Sequence, residues 1–554
     1  RGAIVVRRLE RLLALGAFAL QFHLRVEAGA VHLVAQSLRD LERELGPAGH
    51  PVPGAAATWF RSPCLGQCDR APAALMTVAG EAPLRLAGGP VSSGELLLRA
   101  EEAATGRGTR SAEGGLAGAG PTEPDAARLA RLRRAVPQAG DPGLRLLGSV
   151  GQLDPLDLDG YRRAGGYDAL RKAISLGPAG VVDEVLASGL LGRGGAAFPT
   201  GRKWAGAAEA PGSPKYVVCN ADEAEPGTFK DRVLLEESPF LLVEAMTIAG
   251  FAVGAERGFL YIRGEYPLGE ERMAGAIAQS RAAGLLGPDV AGAGFAFEIE
   301  IRRGGGAYIC GEETALFKSI EGERGEPPNK WTRPTIAGLF GRPTVVNNVE
   351  TLANVPGIIR DGSGAYRSLG TAGSPGRKLF SISGHVARPG VYEVDFGTTL
   401  RELIALAGGV PGGRSVRAVN LGGAAGVFVG PEALEMPLAY EAARDAGATL
   451  GAGSIVVFDE TSDLLEMARR VARFFRDESC GQCVPCRVGT VRQEELLARL
   501  SARAPLGSVD AELALLDDLG AVMRDASICG LGQAANAAVA SALRLPGVLP
   551  GAAR

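Results

Sequence analysis

Three cysteines set three residues apart, Cys480, Cys483 and Cys486 in Glu-Ser-Cys-Gly-Gln-Cys-Val-Pro-Cys-Arg (478–487), constrain this chain more than any other stretch. A turn with C-x2-C-x2-C spacing turns its thiolates toward a common side, where they can hold a cubane whose last position falls to a distant cysteine. Cys529, in Ser-Ile-Cys-Gly-Leu-Gly, is the only downstream candidate. A structural zinc site more often draws on two C-x2-C pairs or on histidine, so the spacing favours an iron-sulfur cluster. The competing reading, a set of inert buried thiols, fits poorly with three cysteines in seven residues beside Gly and Pro. Whatever else it does, the fold has to bring 480–486 and 529 together.

At 554 residues the chain exceeds one hydrophobic core, and three or four domains are expected. The net charge of -3, from 59 basic and 62 acidic residues, gives no electrostatic footprint for nucleic acid or an anionic membrane surface. Eight cysteines, four of them in one cluster-like constellation, fit a reducing compartment and not a disulfide framework, so the expected location is cytoplasmic. The basic start and the apolar run from Leu12 to Leu20 resemble a secretory signal; Arg8 and Arg11 lead into an amphipathic pattern and no clean cleavage site follows. No run approaches the roughly 20 apolar residues of a membrane span, so any membrane link is expected to pass through a partner.

Residues 1–100 read as a small α/β unit, with helices near 4–20 and 33–45 followed by short strands. Residues 101–150, rich in Gly, Ala, Pro and Arg, read as a linker with one helix near 125–135. Between 151 and 374 strands and helices alternate as in a mostly parallel sheet, and two glycine loops interrupt the pattern. The first runs Gly192-Arg193-Gly194-Gly195-Ala196-Ala197-Phe198-Pro199-Thr200-Gly201-Arg202-Lys203-Trp204. The second, Arg303-Gly304-Gly305-Gly306-Ala307-Tyr308-Ile309-Cys310-Gly311-Glu312-Glu313, opens into a helix. Amides without side chains can approach phosphates closely, and Lys203 adds positive charge. Between the loops, a strand ending at Asn220 delivers Asp222, Glu223 and Glu225 into one turn, a crowding of carboxylates that is costly without a use. A solvated acidic turn is the plainer alternative. Neither loop has the spacing of a dinucleotide fingerprint, but together they suit one site for two phosphorylated ligands.

These stretches, with Val-Asn-Asn-Val-Glu-Thr-Leu (346–352), resemble the flavin and NADH-binding subunit of respiratory complex I, a module shared with NAD-reducing hydrogenases and NAD-dependent molybdenum or tungsten formate dehydrogenases. The resemblance runs from about Asp154 to Ala540. The residues around the cysteines look most like the formate dehydrogenase β subunit, as does the fused amino-terminal region, which hydrogenase diaphorase subunits can also carry. The resemblance implies a multidomain α/β architecture. Its parts are a thioredoxin-like domain (1–100), an FMN- and NAD(H)-binding domain (151–374), a ubiquitin-like β-grasp domain (375–458) and a helical domain (459–554) holding a [4Fe-4S] cluster on Cys480, Cys483, Cys486 and Cys529.

By the same resemblance FMN contacts Gly194, Gly195, Lys203, Asn220, Asp222, Gly311, Glu312, Asn347, Asn348 and Thr351. Phe198, Glu223, Glu225, Tyr308, Glu313 and Lys330 face the nicotinamide nucleotide, with Glu225 and Glu313 the candidates for any catalytic part. Glu313 would also repel a 2′-phosphate and so favour NAD over NADP. The Cys64 and Cys68 pair resembles the second half of a thioredoxin-like [2Fe-2S] motif. Residues 1–63 hold no first pair, so a degenerate domain without that cluster is expected. Two departures stand out, Gly206 and Arg333, where complex I members tend to carry aromatics. His385 reads as a strand residue, and Cys219 and Cys310 as packed small residues. The implied function is hydride exchange between NAD and FMN with single-electron exchange to the cluster, as the β subunit of a formate dehydrogenase. Its implied partners are a molybdenum or tungsten catalytic subunit and a small [2Fe-2S] subunit. The alternatives are a complex I or hydrogenase diaphorase subunit, and a non-catalytic assembly subunit.

Overall fold

The computed structural model describes residues 20–25, 57–61, 73–78, 84–88, 125–329 and 332–549. Cys64, Cys68, Lys330 and the helices expected near 4–20 and 33–45 lie outside the described residues, apart from Leu20 at the start of a strand. The chain divides into two compact units, the first made of 1–135 with 265–268 and the second of the rest. In the first unit β1 (Leu20–Arg25) pairs parallel with β2 (Ala57–Arg61) and antiparallel with β3 (Ala73–Val78), which pairs antiparallel with β4 (Leu84–Gly88). A helix over Asp125–Ala135 completes its described part.

The second unit is built first on a four-stranded parallel sheet of order β7-β6-β5-β8: β5 (Tyr216–Ala221), β6 (Arg257–Arg263), β7 (Glu298–Gly304) and β8 (Thr344–Asn348). Buried apolar residues such as Val217, Val218 and Cys219 fill consecutive positions of β5, as expected of a strand covered on both faces. Helices α1 (Asp168–Ser188), α2 (Thr200–Glu209), α3 (Lys230–Glu237), α4 (Pro239–Val253), α5 (Pro267–Ala282), α6 (Glu313–Ile320) and α7 (Val349–Asp361) surround it. Helix α4 is apolar almost all round, with 13 of its residues buried, because it packs between α1, α7 and the sheet. The chain proceeds outward from β5 through β6 to β7 and then returns to add β8 on the other side of β5. A topological switch point therefore lies between the carboxyl ends of β5 and β8, the place where open α/β sheets bind ligands.

The β-grasp domain is a five-stranded sheet of order β10-β9-β13-β11-β12, from β9 (Arg377–Gly384), β10 (Gly390–Asp395), β11 (Val416–Leu421), β12 (Val427–Val429) and β13 (Ser454–Asp459). It closes over α8 (Leu400–Leu406), whose Leu400 and Leu403 enter a core with Phe380, Tyr392 and Ile455. Residues 136–150 depart from the expected linker. Val136, Leu147 and Val150 are fully buried, and the amides of Arg145, Leu146 and Leu147 donate to the buried carboxylate of Glu393 on β10 at 2.8, 2.9 and 2.9 Å. A buried carboxylate needs donors, and this segment supplies them.

Five helices complete the unit: α9 (Leu464–Glu478), α10 (Val484–Ser501), α11 (Val509–Ala526), α12 (Gly530–Ala534) and α13 (Ala537–Arg544). Asp463 and Ser508 cap α9 and α11 with side-chain acceptors, which fixes where each helix starts. Among the described residues no helix is long and apolar enough to cross a membrane.

Candidate functional site

Parallel register places Cys219 beside Asn347 and Asn220 beside Asn348, so two asparagine-bearing strand ends meet at the switch point. Each asparagine is fixed by a neighbour. Asn220 Nδ2 donates to Gly311 O at 2.8 Å, which ties the first strand end to the second glycine loop. Trp204 Nε1 donates to Asn347 Oδ1 at 2.8 Å, and the fully buried indole anchors α2 against β8. Lys203, one residue earlier, donates to Val346 O at 2.9 Å and pairs with Glu313 at the start of α6. Glu312 accepts from the amides of Thr314 and Ala315 as the cap of α6, leaving the glycine-loop amides before it for other acceptors.

The first glycine loop is pinned by a bond from Gly192 N to Phe198 O of 2.9 Å, and it lies on the amino terminus of α7. Arg193 N donates to Thr351 Oγ1 at 2.8 Å, and a Cβ on Gly194 would come within 3.1 Å of Asn348 Cβ. Asn348 is also the cap of α7. Gly195 has φ +119°, a conformation open to glycine, and Phe198 stands 52% exposed at the rim. Loop amides without side chains thus meet a helix amino terminus at one place, with the Lys203 ammonium held against the end of the adjoining strand β8. This is the donor set that a phosphate needs, and it fits a nucleotide cofactor.

The acidic turn divides its work. Glu223 faces inward, accepting from Asp231 N at 2.9 Å and Arg232 N at 3.0 Å at the start of α3; burial, with the Asp231 charge, pushes its carboxyl up to about 7. Asp222 is buried, and its backbone carbonyl oxygen lies within 3.5 Å of a Cβ built on Gly311. Glu225 reaches the second glycine loop. Tyr308 Oη donates to its Oε2 at 2.7 Å, and Ala425 N of the β-grasp domain donates to Oε1 at 3.1 Å. Burial pushes Glu225 up to about 7 as well, against the lowering effect of these donors.

Cys480, Cys483, Cys486 and Cys529 line one small cavity with Ile309, Pro327 and Leu531, and none is in a disulfide. Cys483 precedes the amino end of α10 and Cys529 that of α12. Among the described residues no three ligand-type side chains converge on one metal ion. Four thiols spread around a common space suit a cluster, in which each iron takes its own cysteine. Arg324 and Arg487 hold the loop through the carbonyls of Cys480 and Gly481, and Ser479 Oγ lies 3.2 Å from Cys486 Sγ.

Of the expected residues, Asn220 and Gly311 meet at the strand ends beside Asn347, Gly194 and Thr351 meet at the start of α7, and the four cysteines share one cavity. The sequence reading missed the β-grasp loop 422–426, to which it assigned no chemistry; Gly423 and Ala425 close over Glu225. It also missed Glu478 and Arg193. The run Gly-Gly-Ala-Ala-Gly was the available signal for the loop. Gly206 lies opposite Thr335, whose Oγ1 would be 3.7 Å from an added Cβ, so both departures, Gly206 and Arg333, fall on one wall.

Comparison with known proteins gives three family matches: a Nuo51 FMN-binding domain over residues 185–357, an SLBB domain over 379–426, and the NADH-ubiquinone oxidoreductase-F iron-sulfur binding region over 466–545. The chain is 46% identical over 379 residues to the F subunit of the NADH-quinone oxidoreductase of Aquifex aeolicus (strain VF5), covering 68% of this chain and 87% of that protein. It is 44% identical over 386 residues to the HndC subunit of the NADP-reducing hydrogenase of Solidesulfovibrio fructosivorans, covering 70% and 78%. Among solved structures, NAD+-reducing [NiFe]-hydrogenase in the air-oxidized state superposes with a TM-score of 0.77 at 30% identity, over 96% of this chain and 85% of that one.

Proposed function

The chain belongs to the family of NADH-quinone oxidoreductase F subunits, and from that premise we propose that it is the NAD(H)-oxidising subunit of a larger redox enzyme of the complex I or hydrogenase type. It is an NAD-dependent flavin iron-sulfur oxidoreductase whose cofactors are FMN, a [4Fe-4S] cluster and NAD(H). When bound, FMN exchanges a hydride with the nicotinamide and single electrons with the cluster. The chain's own residues bind and orient. Gly194, Gly195, Asn348 and Thr351 form the cradle for a phosphate, Asn220, Asp222, Gly311, Glu312 and Asn347 line the strand ends for the flavin, and Lys203 adds charge. Phe198, Glu225, Tyr308 and Glu313 face the nicotinamide nucleotide, while Glu223 supports the turn from behind.

The observation that carries this reading is the span of Tyr308. Its hydroxyl reaches Glu225 in the nucleotide turn, its backbone amide donates to Glu478 at 2.9 Å just before the cysteine loop, and its ring packs 5.0 Å from Phe474. Tyr308 therefore ties the acidic turn to the helix that leads into the cysteine loop, which keeps the two sites near one another, as one-electron exchange between two cofactors needs. The cysteine-flanking residues point to a formate dehydrogenase; the relatives instead support the alternative reading of complex I and hydrogenase subunits. A hydrogenase-type diaphorase agrees further with a solved structure that covers 96% of this chain.

NADH-ferricyanide activity of the purified, FMN-reconstituted chain tests the enzyme reading; absence of both flavin and activity would leave only the assembly-subunit alternative. Co-purification with natural partners, followed by assays of hydrogen-, quinone- and formate-linked NAD turnover, identifies the complex. Formate-dependent NAD reduction would restore the formate dehydrogenase assignment.

A further inference from the structure

Two serine hydroxyls stand against the most deeply buried of the four cysteines. Cys486 is 5% exposed, and Ser479 Oγ lies 3.2 Å from its sulfur. The Gly481 amide donates to the same Ser479 oxygen at 3.3 Å, which leaves the hydroxyl hydrogen to be given onward. Ser527, 7% exposed at the end of α11, has a buried Oγ with no hydrogen-bond partner among the described residues. It stands across Gly532 from Cys486: a Cβ on that glycine would lie 2.4 Å from Ser527 Oγ and 2.9 Å from Cys486 Cβ. Only a residue without a side chain lets the two approach so closely. The cysteine loop has other ties, because Arg324 and Arg487 hold the Cys480 and Gly481 carbonyls and Glu478 accepts from the Tyr308 amide at 2.9 Å.

A buried hydroxyl left unpaired costs free energy, so the Ser527 oxygen needs a partner that the chain itself does not supply. Iron-bound sulfur beside Cys486 would supply one. Once the Cys486 sulfur is a ligand it has no proton to give, so in its contact with Ser479 the hydroxyl must be the donor. Reduction adds one electron to a cluster and makes or breaks no bond to the protein. The added negative charge strengthens any hydrogen bond already donated to the sulfurs, so such donors favour the reduced state and raise the potential. Cys480, Cys483 and Cys529 are only half-buried. The two hydroxyls therefore stand at the corner that water reaches least, where a fixed dipole counts most.

We propose that Ser479 and Ser527 donate hydrogen bonds to the cluster at its Cys486 corner and raise its reduction potential, so that an electron arriving from the flavin is held there. The inference rests on the [4Fe-4S] reading above and adds two residues that hold no iron. Neither hydroxyl touches the nicotinamide or the flavin, and both act through the cluster's sulfurs, so both are positioning residues.

The test is a redox titration of the holoprotein followed by low-temperature EPR, with iron, acid-labile sulfide and FMN content measured on each sample. Ser479→Ala should keep all three and lower the cluster's midpoint potential by the equivalent of a roughly tenfold change in the one-electron equilibrium, about 59 mV. Ser527→Ala should shift the potential in the same direction, and the double variant should lie below either. Ser479→Thr keeps the hydroxyl and should stay near the wild-type value, an outcome that a merely structural role for Ser479 does not predict. A full cluster at unchanged potential in either Ala variant, or a Thr variant shifted as far as Ser479→Ala, would overturn the proposal while leaving the cluster reading intact. If one Ala variant loses its iron, the other decides. Loss of iron from both would overturn the proposal, since the hydroxyls would then hold the cluster and not set its potential. A wild type without iron would overturn both the proposal and the cluster reading.

Discussion

The Tyr308 hydroxyl donates a 2.7 Å hydrogen bond to Glu225 Oε2 while the Tyr308 amide donates to Glu478 at 2.9 Å, so one residue joins the acidic turn after β5 to the helix that ends at the cysteine loop. The apolar cluster around it, with Ile309, Phe474, Phe475 and Ala424, also holds Cys486. Segments from all three domains of the second unit meet in that cluster. The same burial disfavours the Glu225 charge.

That conflict gives a pH prediction for stability. Glu225 is raised by burial to about 7 in the folded chain, so it stays protonated at pH values where the unfolded chain has released its proton. The associated stability is complete below the ordinary carboxylate range and is lost as pH rises through about 7. Glu225→Gln removes this loss. Relative to wild type, the variant should gain about 1–2 kcal/mol between pH 5 and pH 8, allowing for the partial exposure of the site. Thermal unfolding at both pH values checks this; a difference between the two proteins that does not change with pH would contradict the assignment.

The cluster prediction follows from the shared cavity. Cys529 reaches it from the start of α12, far along the chain from the other three thiols. Cys529→Ser should abolish the cluster's iron and acid-labile sulfide while FMN stays bound. NADH-ferricyanide activity, which draws electrons from the flavin, should persist when turnover with the natural partner is lost. Iron analysis and low-temperature EPR of the reduced protein give the readout.

What could be read from the sequence follows a physical division. The cysteine loop, the glycine loops and the acidic turn are legible because their chemistry depends on residues close together in the chain. Helix α4 has its ends written locally, because Ser238 and Pro239 open it and Gly254 ends it in the left-handed region. Glu350, Lys378 and Arg193 were passed over because a single charged residue in sequence ordinarily marks a solvated surface. Their burial becomes visible only when α7, β9 and the glycine loop meet in space. The segment 136–150 was misjudged for a related reason: its Gly and Pro residues signal a linker, while the donors it supplies to Glu393 depend on an acceptor nearly 250 residues away.

Packing behind the glycine loop gives a third prediction. Gly201 lies on α2 with its Cα against the Leu186 backbone of α1, and an added Cβ would overlap Leu186 Cα and N, which cannot swing aside as a side-chain tip could. Gly201→Ala should therefore cost about 1–3 kcal/mol and move α2 off α1. Because Trp204 and Lys203 ride on the same helix, FMN affinity should fall together with stability. Urea denaturation and flavin titration of the variant check both, and an unperturbed protein would show that the two helices are not held this closely.

The last prediction concerns dinucleotide choice. Glu313 begins α6 and pairs with Lys203, itself fixed by Val346 O, so its carboxylate is held in place beside the second glycine loop. A carboxylate placed beside the adenine ribose accepts from a 2′-hydroxyl and repels a 2′-phosphate. The partial exposure of the Lys203 and Glu313 side chains, 19% and 35%, leaves the pair open to an arriving ligand. Glu313→Gln keeps the shape, removes the repulsion and frees the Lys203 ammonium for the added phosphate. The ratio of kcat/KM for NADPH to that for NADH should rise roughly tenfold, mostly through the KM for NADPH, since a single unit charge near a surface is worth about that factor. Steady-state kinetics with both nucleotides at low ionic strength give the answer. A ratio that stays fixed would place Glu313 away from the adenine ribose and leave the choice of nucleotide to the wall formed by Gly206 and Arg333.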